Sequence, residues 1–121
     1  MPFKWRLATA ILVSLLVACS ASPAAPASPS ASPSASAVSI TSAFAFEPAQ
    51  ISILRGASVT WTNTTPSTTH TVTSGAPDKP SNKFNHALEA GKTFTVKFDE
   101  AGSFDYFCSI HTSMHGTVVV K

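Results

Sequence analysis

A cysteine, a histidine and a methionine follow one another at a spacing of three residues near the end of this chain, at Cys108, His111 and Met114. Another histidine, His70, lies upstream, where a loop rich in threonine and serine meets a β-branched stretch. A thiolate and a thioether are soft ligands that favour Cu(I), whereas imidazoles bind both Cu(I) and Cu(II). Two imidazoles and a thiolate in one plane, with a weak axial thioether, suit neither oxidation state fully. These residues therefore predict one copper ion that exchanges an electron with little ligand movement.

Each of these residues, taken alone, more often has a role other than metal binding. A buried cysteine is most often a small apolar core residue, and an isolated methionine or histidine usually packs in the core or is solvated. Zinc is the competing metal, but it gains nothing from a methionine ligand. The four residues together, on a chain rich in β-strand patterns, favour copper over these alternatives.

The first 18 residues have the pattern of an export signal. Residues 1–6 are basic, and residues 7–18 form an apolar run of about 12 residues, too short to cross a membrane core of about 30 Å as a helix. The leader ends in Leu-Val-Ala-Cys at residues 16–19, which resembles the lipobox of bacterial lipoproteins. The resemblance implies that residues 1–18 are a lipoprotein signal peptide and that Cys19 carries the lipid. We expect the protein to be exported and anchored to the extracytoplasmic face of a bacterial membrane, in the periplasm or at the cell surface.

A second consequence concerns the cysteines. With Cys19 lipidated, Cys108 has no disulfide partner, and a lone thiol in an oxidising compartment is a liability unless a ligand occupies it. This strengthens the case for a metal at Cys108.

Residues 20–37 contain only serine, alanine and proline. They have no large apolar side chain to offset the entropy of ordering, and frequent proline favours an extended chain. We predict that residues 19–37, the lipidated cysteine and its linker, tether a domain formed by residues 38–121. That domain carries equal numbers of basic and acidic side chains, so no basic patch indicates nucleic-acid binding. We expect no nucleic-acid partner and a monomer.

Short segments with alternating apolar and polar residues follow one another through residues 38–121, the pattern of half-buried strands. Glycine and proline separate them, and in place of a helix we expect only a turn within residues 82–88. The pattern predicts an all-β fold, an antiparallel β-sandwich, with Trp61 in its core. The expected strands are Val38–Phe44, Ile51–Leu54, Val59–Trp61, His70–Thr73, Phe94–Phe98, Ser103–Cys108 and Thr117–Val120.

Three stretches, at residues 46–61, 70–73 and 98–118, resemble the cupredoxins. The short spacing from His111 to Met114 is nearest to amicyanin. The resemblance implies a Greek-key sandwich with copper at one end, where His70, Cys108 and His111 are equatorial ligands and Met114 is axial. It also implies that both imidazoles bind through Nδ1 and that the exposed edge of His111 is the route for the electron.

Two departures from the family concern the surroundings of the ligands. Thr71 stands where many relatives have asparagine; its backbone N–H is expected to bond the Cys108 sulfur, and its hydroxyl to replace the amide in part. Ile110 and Thr112 flank His111 where amicyanin has prolines, which predicts a less rigid loop. His86 and His115 are expected to be solvated.

The predicted function is that of a type 1 copper protein that shuttles single electrons between redox partner proteins. We expect weak docking through an apolar rim around His111 that includes Phe46, Ala76 and Pro77. The alternative is copper storage, delivery or resistance, although no Met- or His-rich tract supports it. The chain lacks the His-x-His and His-Cys-His motifs of multicopper oxidases and a second domain cysteine for a dinuclear site, so no enzymatic activity is expected.

Overall fold

The computed structural model describes residues 36–121, so the predicted signal peptide, the lipidation at Cys19 and the linker up to residue 35 lie outside the described residues. No helix occurs in the described part, and hence none that is long and apolar enough to cross a membrane. The strands are β1 (Ser36–Thr41), β2 (Ala45–Glu47), β3 (Gln50–Ile53), β4 (Ser58–Asn63), β5 (His70–Ala76), β6 (Lys79–Leu88), β7 (Thr93–Lys97), β8 (Gly102–Phe107) and β9 (His115–Val120).

The strands form two sheets, ordered β2-β1-β4-β7 and β3-β9-β8-β5-β6. The all-β sandwich predicted from the sequence is confirmed. Its pairing is mixed, however, and not antiparallel throughout, because β1 pairs with β4 and β3 pairs with β9 in parallel. The chain leaves the first sheet after β2, adds β3 to the second sheet and returns as β4. This excursion brings β4 back beside β1 in the same direction.

The core lies between the two sheets and is centred on Trp61, which is fully buried as predicted. Alternate residues of β4 point inward, as expected for a strand with one buried face. The Trp61 ring meets Tyr106 of the other sheet edge to face, with ring centroids 5.2 Å apart. Tyr106 pairs with Gly116 across β8 and β9, and a side chain at position 116 would collide with the Tyr106 ring. These contacts fix the two strands that hold the Cys108–Met114 segment.

Strand β6 is the main difference from the expected secondary structure. The sequence predicts a turn within residues 82–88, yet these residues continue a strand of 10 residues that begins at Lys79. Most of its side chains are exposed, because β6 is the edge of its sheet, so apolar alternation is weak there. His86 consequently lies on a strand and not in a loop. It is exposed, as expected, and stacks on Phe94 at 4.5 Å.

The first strand begins at Ser36, two residues before the boundary at Val38 that the sequence indicates. Ser36 and Ala37 pair with Val59 and Thr60 on β4. Pairing with β4, which composition does not reveal, therefore extends β1 into the serine- and alanine-rich segment.

One end of the sandwich gathers the residues of interest. Strand β5 starts at His70, and β8, which is antiparallel to it, ends one residue before Cys108. Strand β9 begins at His115, so residues 108–114 connect two neighbouring antiparallel strands. The start of β5 and this connection therefore lie at the same end.

Candidate metal centre

Three donor atoms face one another at this end. The Cys108 Sγ lies 3.8 Å from His70 Nδ1 and 3.7 Å from His111 Nδ1, and the two Nδ1 atoms are 3.2 Å apart. The point equidistant from these three atoms is about 2.1 Å from each, which is close to the metal–ligand distances of about 2.0–2.3 Å found for imidazole and thiolate ligands. The triangle therefore has the size that a single bound metal ion requires.

The segment from Cys108 to Met114 is a closed turn that its own backbone holds. Cys108 N–H donates to Met114 O at 3.1 Å, and Met114 N–H donates to His111 O at 3.0 Å. His111 N–H also points at the Cys108 sulfur, at 3.4 Å. Both Cys108 and Met114 are buried, so the two sulfur-bearing side chains enter the protein interior from the two ends of the turn.

Thr71 connects the strand of His70 to this turn in two ways. Its backbone N–H donates to the Cys108 Sγ at 3.3 Å, as expected from the sequence. Its hydroxyl accepts a hydrogen bond of 2.6 Å from the Ser109 N–H and lies 3.0 Å from the Ser109 hydroxyl. The threonine hydroxyl thus connects the strand of His70 to the turn that carries Cys108, with Ser109 as its partner.

A row of hydroxyl groups continues from Thr71 towards the protein surface, and no sequence motif marks it. The Thr73 hydroxyl donates to Asn85 Oδ1 at 3.0 Å and lies 3.1 Å from the Thr71 hydroxyl. Each hydroxyl has only one proton to donate. Since Thr73 gives its proton to Asn85, Thr71 must donate to Thr73, and the Ser109 hydroxyl must donate to Thr71. The row is thus oriented, with Thr71 free to accept both groups of Ser109.

The two histidines have different environments. His70 is fully buried, whereas His111 is partly exposed. Burial, and secondarily the charge of His111, lower the pKa of His70, so its imidazole is held neutral, the form that binds a metal. Its Nε2 is buried without a hydrogen-bond partner among residues 36–121, while its Nδ1 faces the sulfur.

The rim around His111 differs from the expected one. Phe46 is buried and packs against Tyr106, so it does not reach the surface. Ala76 and its neighbour Pro77 lie at the opposite end of β5 from His70, roughly 20 Å away at about 3.3 Å per residue. The prediction that Phe46, Ala76 and Pro77 line the docking rim is therefore wrong. Ala76 and Pro77 are far from His111 because β5 is longer than the four residues that its sequence pattern suggests.

Two large hydrophobic side chains are exposed at this end, those of Ile110 and Phe44. Ile110 is 53% exposed and precedes His111, while Phe44 is 47% exposed and lies in the turn between β1 and β2. The Phe44 ring contacts the rings of both histidines. No local signal in the sequence marks Phe44, which the apolar pattern places at the end of the first strand. His115 is exposed at the start of β9, as expected.

The donor set fits a copper ion. A buried thiol between two inward-facing imidazole nitrogens has the composition of a type 1 copper site, and a thioether is buried at the other end of the same turn. Such a cluster at one end of a two-sheet β-sandwich defines the cupredoxin class. In agreement, residues 34–121 match the family described as copper binding proteins of the plastocyanin/azurin family. The chain belongs to this family.

Individual relatives support the same assignment. The chain is 33% identical over 76 residues to amicyanin-alpha of Methylorubrum extorquens, an alignment that covers 63% of this chain and 64% of that protein. It thus spans just under two thirds of that relative's length. It is 32% identical over 90 residues to plastocyanin of Scenedesmus fuscus, covering 67% of this chain and 91% of the relative.

Solved structures show the same fold. A novel purple cupredoxin from Nitrosopumilus maritimus superposes with a TM-score of 0.64 at 32% identity, covering 71% of this chain and 99% of that one. Amicyanin from Paracoccus versutus gives a TM-score of 0.61 at 25% identity, covering 72% and 81% respectively.

Proposed function

We propose that this protein transfers single electrons through one type 1 copper ion, with His70, Cys108 and His111 as equatorial ligands and Met114 as the axial ligand. The observation that carries the proposal is the triangle of Sγ and two Nδ1 atoms, which has the size of a metal coordination plane. Copper, when bound, supplies the Cu(II)/Cu(I) couple. The relatives named plastocyanin and amicyanin are consistent with this role.

The protein's part is to hold the donor atoms nearly fixed while the charge of the ion changes. His70 starts a buried strand, and Cys108 follows the end of another. The Thr71 N–H and the His111 N–H both point at the sulfur, and donors near a thiolate stabilise its negative charge. A rigid donor set of this kind keeps the structural change on electron transfer small.

His111 is the proposed exit for the electron because it is the partly exposed histidine of the pair. The exposed side chains of Ile110 and Phe44 extend an apolar rim around it. Redox partners that meet transiently use small contact surfaces, and an apolar rim with no dominant charge suits such docking. The burial of Cys108, His70 and Met114 favours retention of the ion, and hence electron transfer over copper delivery.

The test is a titration of the metal-free protein with Cu(II), followed by potentiometry. We expect one equivalent of copper to produce an intense visible thiolate-to-copper band that bleaches reversibly on one-electron reduction. Cys108→Ser should abolish the band, because the thiolate is its source. Ser109→Ala, which keeps the Cys108 sulfur, is the matched control and should remain coloured. A parent protein that stays colourless with Cu(II) would refute the proposal.

We further propose that the protein is exported and held at a membrane by a lipid on Cys19. The direction of β1 supports such a tether. The Asn63 amide donates to the carbonyl of Leu88, and Leu88 pairs with His70, so Asn63 lies near the metal end. Ile40 pairs with Asn63 and therefore lies near that end as well. Ser36 is at the other end of β1, so the chain enters the domain far from His111. A tether attached there would leave the metal end directed away from the membrane.

The anchor is tested by fractionating cells that express the full chain. The parent protein should be found with the membranes, and its N-terminal peptide should carry acyl chains in mass spectrometry. Cys19→Ser should lose the acyl mass, because no thiol remains to be modified. Recovery of the unmodified parent in the soluble fraction would contradict the anchor while leaving the copper site untouched.

A further inference from the structure

Phe44 combines three features that are uncommon in one residue. Its backbone φ is +56°, in the left-handed region that glycine and asparagine occupy easily and a bulky aromatic residue rarely does. Its side chain is large, apolar and 47% exposed. Its N–H donates to Thr41 O at 3.0 Å, which closes the turn between β1 and β2. Thr41 pairs with Ala45, and a three-residue loop between antiparallel strands commonly places its last residue in the left-handed region. The turn therefore accounts for the φ, but it does not explain why a large, half-exposed aromatic ring stands where glycine or asparagine would fit without strain.

The Phe44 ring completes a cluster of three rings with the candidate ligands. Its centroid lies 4.8 Å from that of His111 and 5.6 Å from that of His70, edge to face at 68° and 67°. The two imidazole centroids are themselves 4.8 Å apart. Edge-to-face contacts at such distances are favourable. The ring therefore reaches from the β1–β2 turn across both imidazoles.

The contact joins the two halves of the sandwich. Strands β1 and β2 belong to one sheet, whereas His70 and the Cys108–Met114 turn belong to the other. A glycine in the same turn would adopt the observed φ without strain, and a half-exposed ring gains less from burial than a core residue does. Unfavourable backbone geometry that persists at a functional site commonly serves that site. The contact of the Phe44 ring with the two imidazoles is thus the best explanation for an aromatic residue at this place in the turn.

Resting on the proposed copper site, we propose that Phe44 is a shielding and positioning residue for the metal centre. Its ring covers the two imidazoles and prevents small anions from reaching the ion between them. It also steadies His111, whose turn has isoleucine and threonine beside the histidine and therefore lacks the rigidity that proline would give. Exclusion of external ligands keeps the coordination number constant when the copper changes charge.

The test uses azide as a probe of access to the metal. Phe44→Gly removes the ring and relieves the backbone at the same time. In the Cu(II)-loaded full-length protein, titration with azide is followed by visible absorption and electron paramagnetic resonance. We expect the apparent Kd for azide to be at least about tenfold lower in Phe44→Gly than in the parent, with changed copper signals on binding. Phe44→Asn, which also tolerates a positive φ, should behave in the same way.

Leu54→Ala is the matched control, because Leu54 is 54% exposed and apolar but lies in the turn that follows β3. It should bind azide no better than the parent does. Thermal unfolding of the metal-free proteins separates shielding from a purely structural role. Phe44→Gly should unfold at the same temperature as the parent or higher, since the strained φ is relieved. A lower unfolding temperature with unchanged azide affinity would mean that the ring only stabilises the fold, and would overturn the proposal.

The outcomes also separate this inference from the copper proposal. A parent protein that stays colourless with Cu(II) refutes the copper site and the shield with it. A coloured parent whose Phe44→Gly and Phe44→Asn variants are as inert to azide as the parent refutes the shield alone.

Discussion

His70 and His111 both turn their Nδ1 atoms towards the Cys108 sulfur, yet the fold holds the two side chains in different ways. His70 begins strand β5, is fully buried and pairs with Leu88 on β6. His111 lies in a short turn between β8 and β9, is partly exposed and follows the exposed Ile110. Their Nδ1 atoms are 3.8 Å and 3.7 Å from the Cys108 Sγ. The two histidines therefore place their Nδ1 atoms equivalently, although His70 is held by a buried strand and His111 by an exposed turn.

The difference indicates a division of roles. A buried ligand on a strand sets where the metal sits, because its position is fixed by the sheet. A ligand on an exposed turn couples the metal to the surroundings, because its outer edge can touch a partner. A site with two buried histidines would hold copper but exchange electrons slowly, and one with two exposed histidines would admit solvent and other ligands.

The largest expected effect comes from replacing each histidine by glycine. Both His70→Gly and His111→Gly should lose the intense visible band of the Cu(II) protein, since one equatorial ligand is missing. Added imidazole should restore the band in His111→Gly, because the vacated site opens to solvent. It should restore little in His70→Gly, whose cavity is closed. The measurement is a visible titration of each variant with imidazole, and equal rescue of both would contradict the proposed asymmetry.

A smaller effect is expected at Thr71, which joins the two supports. Thr71→Val should leave the Ser109 N–H without its acceptor and destabilise the protein by about 1 kcal/mol, and the visible band should shift as the turn loosens. Thr71→Ser keeps the hydroxyl and is the matched control. Both variants retain the backbone N–H that points at Cys108. Denaturant unfolding and the absorption spectrum measure the two effects; identical behaviour of the two variants would exclude the hydroxyl as the connection.

The sequence predicts the buried part of the metal site better than the exposed rim around His111. The Thr71 N–H to sulfur contact is expected from the resemblance to the cupredoxins, since it joins residues that are far apart in the chain. The soft ligands at Cys108 and Met114 follow from residue types at a fixed spacing, because ligand chemistry restricts which residues can serve. The core position of Trp61 follows from alternation along a strand. These last two features depend on short-range patterns that the sequence displays directly.

The rim could not be predicted because it depends on long-range placement. Ala76 lies at the far end of β5 since the strand continues beyond its β-branched start, paired with an edge strand whose exposed side chains show little alternation. Phe44 reaches the histidines through a left-handed turn that contains neither glycine nor asparagine. Asn85 joins the hydroxyl row only because β6 pairs with β5.

The smallest predicted effect is a pH dependence of the metal-free protein. Burial first, and the nearby His111 second, place the pKa of His70 below its ordinary value of 6.5. As the pH falls below about 6.5, the unfolded chain takes up a proton at His70 that the folded protein does not, so the free energy of unfolding decreases. The decrease ends once the pH is below the folded-state pKa, where both states are protonated. Above pH 6.5 both are neutral, and His70 contributes no pH dependence.

Denaturant unfolding of the metal-free protein between pH 5 and 8 would measure this change; the range brackets the pKa of an ordinary histidine. His70→Gln should reduce the slope of stability against pH, because the buried titrating group is gone. His86→Gln, which removes an exposed imidazole from β6, is the control for the loss of one histidine. If the parent were equally stable on both sides of pH 6.5, the buried His70 would not be held neutral by the fold. The contrast with His111 would then concern exposure alone.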